Sequence, residues 1–215
     1  MVTERNKWIR IILTILGCFF LVATALSVHY LWDPWIFYWK VPEDETALRL
    51  SVVQTAERYL GCMESDGSHR QIIDRYNAHE PLAMGYNVQY TDSWCAAFVS
   101  AIAIECNLTD IIPTECGCER QISLFCELNC WEERDNAIPL PGDLIYYDWN
   151  MDEAEECTGW ADHVGIVVGT KWPFLKVIEG NREDSVTYRY LLLDHVQIRG
   201  FAKPDYAGHL KRNTP

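Results

Sequence analysis

Positive charge is scarce in this 215-residue chain, which has 18 lysine and arginine residues against 31 aspartate and glutamate residues and a formal net charge of −13. Proteins that bind nucleic acid neutralise its phosphates with a clustered basic face. The charge balance therefore argues against a nucleic-acid partner. The sequence also lacks internal repeats and low-complexity linkers, so we expect a single folded domain with short appendages.

One stretch of the chain has no charge at all. Residues 11–31, IILTILGCFFLVATALSVHYL, contain no Asp, Glu, Lys or Arg, and at about 1.5 Å per residue they span roughly the 30 Å of a bilayer core. Three basic residues precede the run, and basic flanks stay in the cytoplasm. We therefore expect a single-pass signal anchor in the cell membrane, with residues 1–10 cytoplasmic, 32–45 a juxtamembrane linker and the rest outside.

Two other interpretations of this apolar run stay open. The small residues ATA at 23–25 fit the cleavage site of a secretory signal peptide. The sequence ILGC at 15–18 resembles a lipoprotein box, which would attach lipid to Cys18. Both require the apolar run to end earlier than it does, which favours the uncleaved anchor.

Cysteine is abundant, with nine residues in the chain, and in an exported domain cysteines are free to pair. Those beyond the apolar run are Cys62, Cys95, Cys106, Cys116, Cys118, Cys126, Cys130 and Cys157. The C-x-C and C-x₃-C spacings at 116–130 differ from the C-x₂-C pairs of zinc ribbons. One or two disulfides within 106–130 are therefore favoured over a zinc site.

The composition beyond the anchor is typical of one α+β domain over residues 46–207, with a short tail at 208–215. Hydrophobic residues make up 49% of the chain, enough for a core. Apolar residues recur at helical spacing in four segments, 46–60, 68–79, 93–106 and 119–129. After PLPGD the pattern changes to short β-branched and aromatic runs, typical of successive antiparallel strands. This order predicts helices packed on a small antiparallel sheet or half-barrel.

A cysteine stands at the start of the third predicted helix, in SWCAAFVSAIA at 93–103, with Asp92 or Ser93 as the expected N-cap. The unpaired N–H groups and the macrodipole of a helix N-terminus favour an anion, which biases a thiol there toward the nucleophilic thiolate. A lone cysteine in an apolar helix is more often a buried hydrophobe. Cys95 therefore needs a base nearby to qualify as a nucleophile.

The segment DHVGIVVGTKWPFLKVIEGN at 162–181 supplies a candidate base. Two β-type runs flank GTKWP, which is typical of a hairpin loop, and a hairpin centred on Lys171 places His163 opposite Glu179. Opposed side chains lie on one face, about 5 Å apart at Cβ, and Asn181 shares that face. The spacing therefore predicts an imidazole with a carboxylate beside it and an amide close by, the partners that a cysteine nucleophile needs.

Other polar groups are weaker candidates. His195, in LLLDHVQ, is the alternative base, but it lacks an acidic partner with such simple geometry and is expected at the surface. The acidic residues at 148–156 are typical of a solvated loop and not of paired-carboxylate catalysis. ESDGSH at 64–69 is rich in oxygen ligands but lacks the spacing of calcium motifs. We expect a turn there and no cofactor, with calcium as the alternative.

Five segments, in order, resemble one known family. WCAAFVS, PGDLIYYDW, DHVGIVVG, VIEGN and IRGFAKPDY are similar to CHAP domains, the cysteine, histidine-dependent amidohydrolase/peptidase domains of bacterial and phage peptidoglycan hydrolases. The resemblance extends from about residue 47 to 206 and implies a compact, papain-like fold. It also implies Cys95 as the nucleophile, His163 as the base, Glu179 as the residue that orients His163, and Asn181 as a supporting polar residue.

With the outward topology, the resemblance implies a peptidoglycan hydrolase. The cleaved bond would be the muramoyl–L-alanine amide or a peptide bond within the stem or cross-bridge. Two alternatives belong to other functional classes. One is a membrane-tethered, CHAP-like module that binds wall peptides or a partner protein without cleaving them. The other is a cysteine-stapled structural ectodomain, in which Cys95 would form a disulfide.

Overall fold

The computed structural model describes residues 12–19, 41–133, 137–150 and 160–213. The chain divides into two compact units, Met1–Trp35 and Ile36–Pro215. In the first unit the described residues form helix α1 at 12–19, whose side chains are exposed. The second unit contains all the remaining elements.

Helix α1 is the described part of the predicted membrane anchor at 11–31. Across the described ranges, no helix is both long and apolar enough to cross a bilayer. The predicted cytoplasmic residues 1–10 and most of the linker at 32–45 lie outside the described residues. The anchor and its topology therefore stay predictions.

The second unit contains five α-helices among its described residues, and four of them begin and end within three residues of the predicted bounds. They are α2 (Glu43–Glu57), α3 (Arg70–Asn77), α4 (Cys95–Glu105), α5 (Cys118–Glu127) and α6 (Tyr206–Asn213), with a 3₁₀ turn at Ala83–Gly85. Helix α2 follows Pro42 and has three acidic residues in its first turn, which suit the positive end of its macrodipole.

One antiparallel sheet holds the six strands of the described chain: β1 (Trp131–Glu133), β2 (Leu144–Tyr147), β3 (His163–Lys171), β4 (Phe174–Arg182), β5 (Ser185–Leu192) and β6 (Ile198–Ala202). Their spatial order is β1-β6-β2-β3-β4-β5, and every neighbouring pair is antiparallel. The predicted α+β class with an antiparallel sheet is confirmed.

Each face of the sheet has its own apolar core. Ile166 of β3 and Ile178 of β4 pack with the helices in the larger core. Their strand neighbours Val167 and Val177 belong to a second core on the other face, as the period of two in a strand requires. Helix α4 contacts α3, β3 and β4 and is buried on every side over its first nine residues. The helix that begins at the cysteine is therefore the central element of the larger core.

The sequence pattern predicts neither β1 nor α6, and α6 includes residues 208–213 of the predicted tail. The first residue of α6, Tyr206, is fully buried. Its hydroxyl donates a hydrogen bond to the Gly142 carbonyl at 2.6 Å, and its ring lies 4.4 Å from the Arg49 guanidinium. Arg49 in turn forms a 2.7 Å ion pair with the buried Asp143. These contacts tie α6 and α2 to the turn before β2.

Candidate active site

Helix α4 begins at Cys95, with Trp94 as the N-cap residue and without a side-chain cap. The prediction that Asp92 or Ser93 caps this helix is wrong, since the Asp92 carboxylate accepts two hydrogen bonds within the preceding turn. Trp94 is fully buried, and its Nε1 donates to the Glu64 carboxylate at 3.0 Å. This anchor fixes the chain where it enters α4 and so fixes Cys95, which is 5% exposed.

The predicted register of the β3–β4 hairpin is wrong by two residues. Lys171 pairs with Phe174, and Gly165 lies opposite Glu179 in the place expected for His163. Because the error is an even number of residues, His163 and Glu179 still lie on one face. Nε2 of His163 is 3.2 Å from Oε2 of Glu179, so the carboxylate reaches its partner diagonally across the hairpin.

A β-bulge in β3 keeps this pair on one face. The register with β4 shifts by one residue between Val167 and Gly169, so Val168 is the extra residue of the bulge. Without it, the tight loop of this hairpin would place His163 and Glu179 on opposite faces of the sheet. The site therefore depends on a local irregularity in a strand.

Gly165 gives the Glu179 side chain its space. A Cβ atom at Gly165 would lie 2.8 Å from Cγ of Glu179 and 2.6 Å from Cγ1 of Val177, both far inside ordinary carbon–carbon contact distance. The glycine of DHVGIVVG thus allows the diagonal contact between Glu179 and His163.

Glu179 is fully buried and lies among three cationic groups. Its carboxylate is 2.7 Å from Nε of Arg189 and 3.7 Å from Nε of Arg182, in addition to the contact with His163. Burial alone would raise the pKa of this carboxyl, but the hydrogen bonds with His163 and Arg189 hold the pKa below its ordinary value. Glu179 is therefore a carboxylate at neutral pH.

The imidazole of His163 bridges Glu179 and Cys95. Nε2 lies 3.2 Å from the Glu179 carboxylate, and the same imidazole interacts with Cys95. Burial would lower the pKa of His163, but the hydrogen bonds with Cys95 and Glu179 raise the pKa to about 9. The hydrogen bond with Cys118 lowers the pKa of the Cys95 thiol well below its ordinary value, against burial and with the help of His163. Both shifts favour the thiolate–imidazolium form of the pair.

Aromatic rings pack against the imidazole of His163. The rings of Tyr147 and Trp149 stack on each other at 5.1 Å and lie 5.8 Å and 5.5 Å from His163. The same two residues line a cavity of about 390 Å³ together with Arg189 and His195. His195, the alternative base, thus lies in a cavity wall, while the imidazole that bonds Cys95 is that of His163.

Asn181 lies near the end of β4, where the register with β5 shifts between Glu179 and Arg182. Its φ of +57° is in the left-handed region, which interrupts the alternation of side chains along the strand. The argument that Asn181 shares the face of Glu179 therefore does not apply, and its supporting role stays a prediction.

The cysteine cluster and the acidic segments form neither a disulfide nor a metal centre within the described ranges. The described cysteines are free thiols, so the expectation of disulfides within 106–130 is not met there. Across those ranges no group of three or more His, Cys, Asp or Glu residues is arranged to hold a metal ion. In ESDGSH, the Asp66 carboxylate accepts two hydrogen bonds from Ser68, which forms a turn. Cys157 and the acidic residues at 152–156 lie outside the described residues.

Two residues of the site are missing from the sequence prediction. Sγ of Cys118 is 3.7 Å from Sγ of Cys95, but the sequence shows Cys118 only as one member of a cysteine cluster. Arg189 pairs with Val177 across β4–β5 and so shares the face of Glu179. The alternation in SVTYRYLLL alone does not place Arg189 on the face of Glu179, because that placement also requires the register of β5 against β4.

No family model matches the chain, and no curated protein matches it. Among solved structures, "The crystal structure of Ly7917" aligns with a TM-score of 0.41 and 12% identity, over 74% of this chain and 62% of that chain. "The crystal structure of Ly7917 with the hydrolyzing product of MDP" aligns with a TM-score of 0.27 and 18% identity, over 36% of this chain and 33% of that chain. The alignments thus span less than two thirds of either solved chain, and TM-scores this low do not establish a shared fold.

Proposed function

We propose that this protein is a cysteine-dependent amide hydrolase of the CHAP type, with a papain-like fold, whose substrate is peptidoglycan. The observation that carries the proposal is the series of contacts from Cys95 through His163 to Glu179, in which the histidine and the carboxylate are 3.2 Å apart. The CHAP-like segments support it, because WCAAFVS, DHVGIVVG and VIEGN hold these three residues.

In the proposed first step, the Cys95 thiolate attacks the carbonyl carbon of the scissile amide. A C–S bond forms, and the carbonyl oxygen takes the negative charge next to the backbone N–H of Cys95 at the start of α4. The imidazolium of His163 then gives its proton to the amide nitrogen. The C–N bond breaks, the amine leaves, and a thioester to Cys95 remains.

In the second step, neutral His163 takes a proton from a water molecule, whose oxygen attacks the thioester carbon. The C–S bond breaks, the acid product leaves, and the thiolate–imidazolium pair is restored. Glu179 fixes the ring through Nε2 and stabilises its charged form in both steps, while Arg189 holds Glu179 as a carboxylate.

The proposed location is the cell membrane, with residues 11–31 as the anchor and residues 46–207 on the outer side, where peptidoglycan lies. The absence of charge in the anchor and the basic residues before it support this topology. Protease added to spheroplasts should then degrade the domain. Full protection of the domain would place it in the cytoplasm and contradict the proposal.

A second candidate function is a CHAP-like module that binds wall peptides or a partner protein without cleaving them. The observation that favours it is the burial of the thiol, since Cys95 is 5% exposed and His163 is 7% exposed. A nucleophile must reach its carbonyl carbon, whereas a binding module has no such requirement. The two functions differ in whether wall fragments appear.

The test is digestion of purified peptidoglycan by the full chain, with released fragments measured by mass spectrometry. Cys95→Ala should abolish release while leaving the circular dichroism spectrum unchanged, and Cys126→Ala should match the wild type, because Cys126 is exposed on α5. The identity of the newly formed amine would show which bond is cleaved, since a new N-terminal alanine indicates cleavage of the muramoyl–L-alanine amide. Release by Cys95→Ala would contradict the proposal, and wall binding without release by the wild type would favour the binding module.

A further inference from the structure

Cys118 lies against the proposed nucleophile and has no part in the steps above. Its Sγ is 3.7 Å from Sγ of Cys95, and the two residues are 7% and 5% exposed. Cys118 is the first residue of α5, as Cys95 is the first residue of α4. Two helix N-termini therefore meet at one pair of sulfur atoms.

Buried hydrogen bonds between α4 and the segment before α5 fix this contact. The Ser100 hydroxyl donates to the Glu115 carbonyl at 2.7 Å and accepts from the Glu115 N–H at 2.9 Å. The Glu115 carboxylate accepts hydrogen bonds from the N–H groups of Cys116 and Gly117 at 2.7 Å and 3.1 Å. Because these two residues directly precede Cys118, the backbone that leads to the second thiol is held in place.

The neighbours of the two sulfur atoms decide which one keeps its proton. Cys95 has the imidazole of His163 as a partner, and a cation favours the thiolate. The hydrogen bond with Cys95, burial and the negative charge of Asp162 raise the pKa of the Cys118 thiol well above its ordinary value. When Cys95 is a thiolate, only the S–H of Cys118 can donate across the 3.7 Å contact between the two sulfur atoms.

We propose that Cys118 is a positioning residue, which donates its S–H to the Cys95 thiolate and so keeps that sulfur ionised and fixed in the resting protein. The inference rests on the proposed nucleophilic role of Cys95. A thiol is a weak donor, which suits a group that is needed only while Cys95 carries charge. When the C–S bond forms, Cys95 no longer carries a negative charge. Loss of the hydrogen bond from Cys118 then costs little free energy.

The test is the pH dependence of alkylation of Cys95 by iodoacetamide in the full chain, which needs no wall substrate. The protein is first reduced with a phosphine, because a Cys95–Cys118 disulfide would block both thiols, and the labelled cysteine is identified by peptide mass spectrometry. The variants are Cys118→Ala, which removes the donor, Cys118→Ser, which keeps an O–H donor, and Cys126→Ala as the matched control on the same helix.

We expect the midpoint of Cys95 alkylation to rise by about one pH unit in Cys118→Ala. In Cys118→Ser the midpoint should stay near the wild-type value, and in Cys126→Ala it should not change. A purely structural role would lower the melting temperature without moving the midpoint. An unchanged midpoint in a folded Cys118→Ala protein, or preferential labelling of Cys118, would overturn the inference. Loss of wall hydrolysis in Cys95→Ala alongside an unchanged midpoint would overturn this inference alone and leave the proposed function standing.

Discussion

Glu179 carries a buried negative charge that three cationic groups surround. An isolated buried carboxylate costs several kcal/mol, and such groups normally take up a proton. Here the guanidinium of Arg189 at 2.7 Å and the imidazole of His163 at 3.2 Å compensate the charge. The carboxylate in turn stabilises the protonated imidazole beside Cys95. The electrostatic state of the thiol is therefore set partly by Arg189, which lies beyond the histidine and the carboxylate.

Replacement of Glu179 with glutamine tests whether the carboxylate stabilises the protonated imidazole of His163. Glu179→Gln keeps the size of the side chain but removes the negative charge that, together with the stronger effect of Cys95, raises the pKa of His163 to about 9. We expect this pKa to fall and kcat to drop about 100-fold or more, because the imidazolium is no longer favoured or oriented. The histidine pKa is measured by NMR titration of the ring and kcat by release of wall fragments.

Glu183→Gln is the matched control for that substitution. Glu183 lies in the turn after β4, and its side chain is 82% exposed, so the same change of charge there should leave both readouts as in the wild type. An unchanged His163 pKa in Glu179→Gln would show that the carboxylate does not govern the imidazole.

At the scale of elements, the β3–β4 hairpin holds the proposed base, His163, and the residue proposed to orient it, Glu179. Its geometry depends on two local features, the bulge at Val168 and the missing side chain at Gly165. The bulge places His163 and Glu179 on the same face, and the glycine leaves room for Glu179 to cross to the diagonal position. Both features act through packing within the hairpin and not through charge.

Gly165→Ala should therefore weaken both the fold and the site. The added Cβ would lie 2.6 Å from Cγ1 of Val177 and 2.8 Å from Cγ of Glu179, and such overpacking costs about 1–3 kcal/mol. We expect a lower free energy of unfolding in urea and slower wall hydrolysis. Adding Val177→Ala to Gly165→Ala removes the closest of these contacts. The free energy of unfolding of the double variant should therefore exceed the value that the sum of the two single changes predicts. Simple additivity would contradict the packing explanation.

The hairpin also shows how far sequence reasoning reaches. The alternation in DHVGIVVG and FLKVIEGN is enough to predict two strands and to place His163 and Glu179 on one face. The register itself depends on the length of the loop and on the bulge. The residue type of Trp172 in the loop does not predict that length, and the residue type of Val168 does not predict a bulge. His163 and Glu179 nevertheless lie on one face, as predicted, because the loop and the bulge together shift the register by an even number of residues.

Cys118 and Arg189 were beyond prediction for a different reason. Each comes to the site through contacts between two different elements, α5 with α4 and β5 with β4. Helical and strand periodicity fix which face of an element is apolar, but not which neighbour that face meets. The order of elements and the α+β class follow from local pattern, and the neighbours of the thiol do not.

For the whole molecule, the site lies where the helical layer meets the sheet. Helix α4 is buried between α3 and the central strands, and Cys95 is at its first turn, while His163 is the first residue of β3. A thiol on a central helix and a base on a central strand are both held by the packed core. Separation of the two layers would break the Cys95–His163 contact, so folding stability and ionisation of the site are coupled.

This coupling has a definite sign for His163. Its pKa in the folded protein is raised to about 9, above the value of about 6.5 for an unfolded chain. The protonated imidazole therefore stabilises the fold fully below about pH 6.5, and this contribution is lost as the pH rises through about 9. In the proposed mechanism His163 gives this proton to the leaving amine, so activity should decline at alkaline pH, whereas the lowered pKa of Cys95 opposes the change in stability.

We expect the rate of wall hydrolysis to be constant near neutral pH and to fall above it, with a midpoint of about pH 9, because neutral His163 has no proton for the leaving amine. Glu179→Gln should move the alkaline midpoint to lower pH, whereas His79→Gln, on the turn after α3, should leave it in place. A midpoint that is the same in Glu179→Gln and the wild type would assign the alkaline limb to a group other than His163.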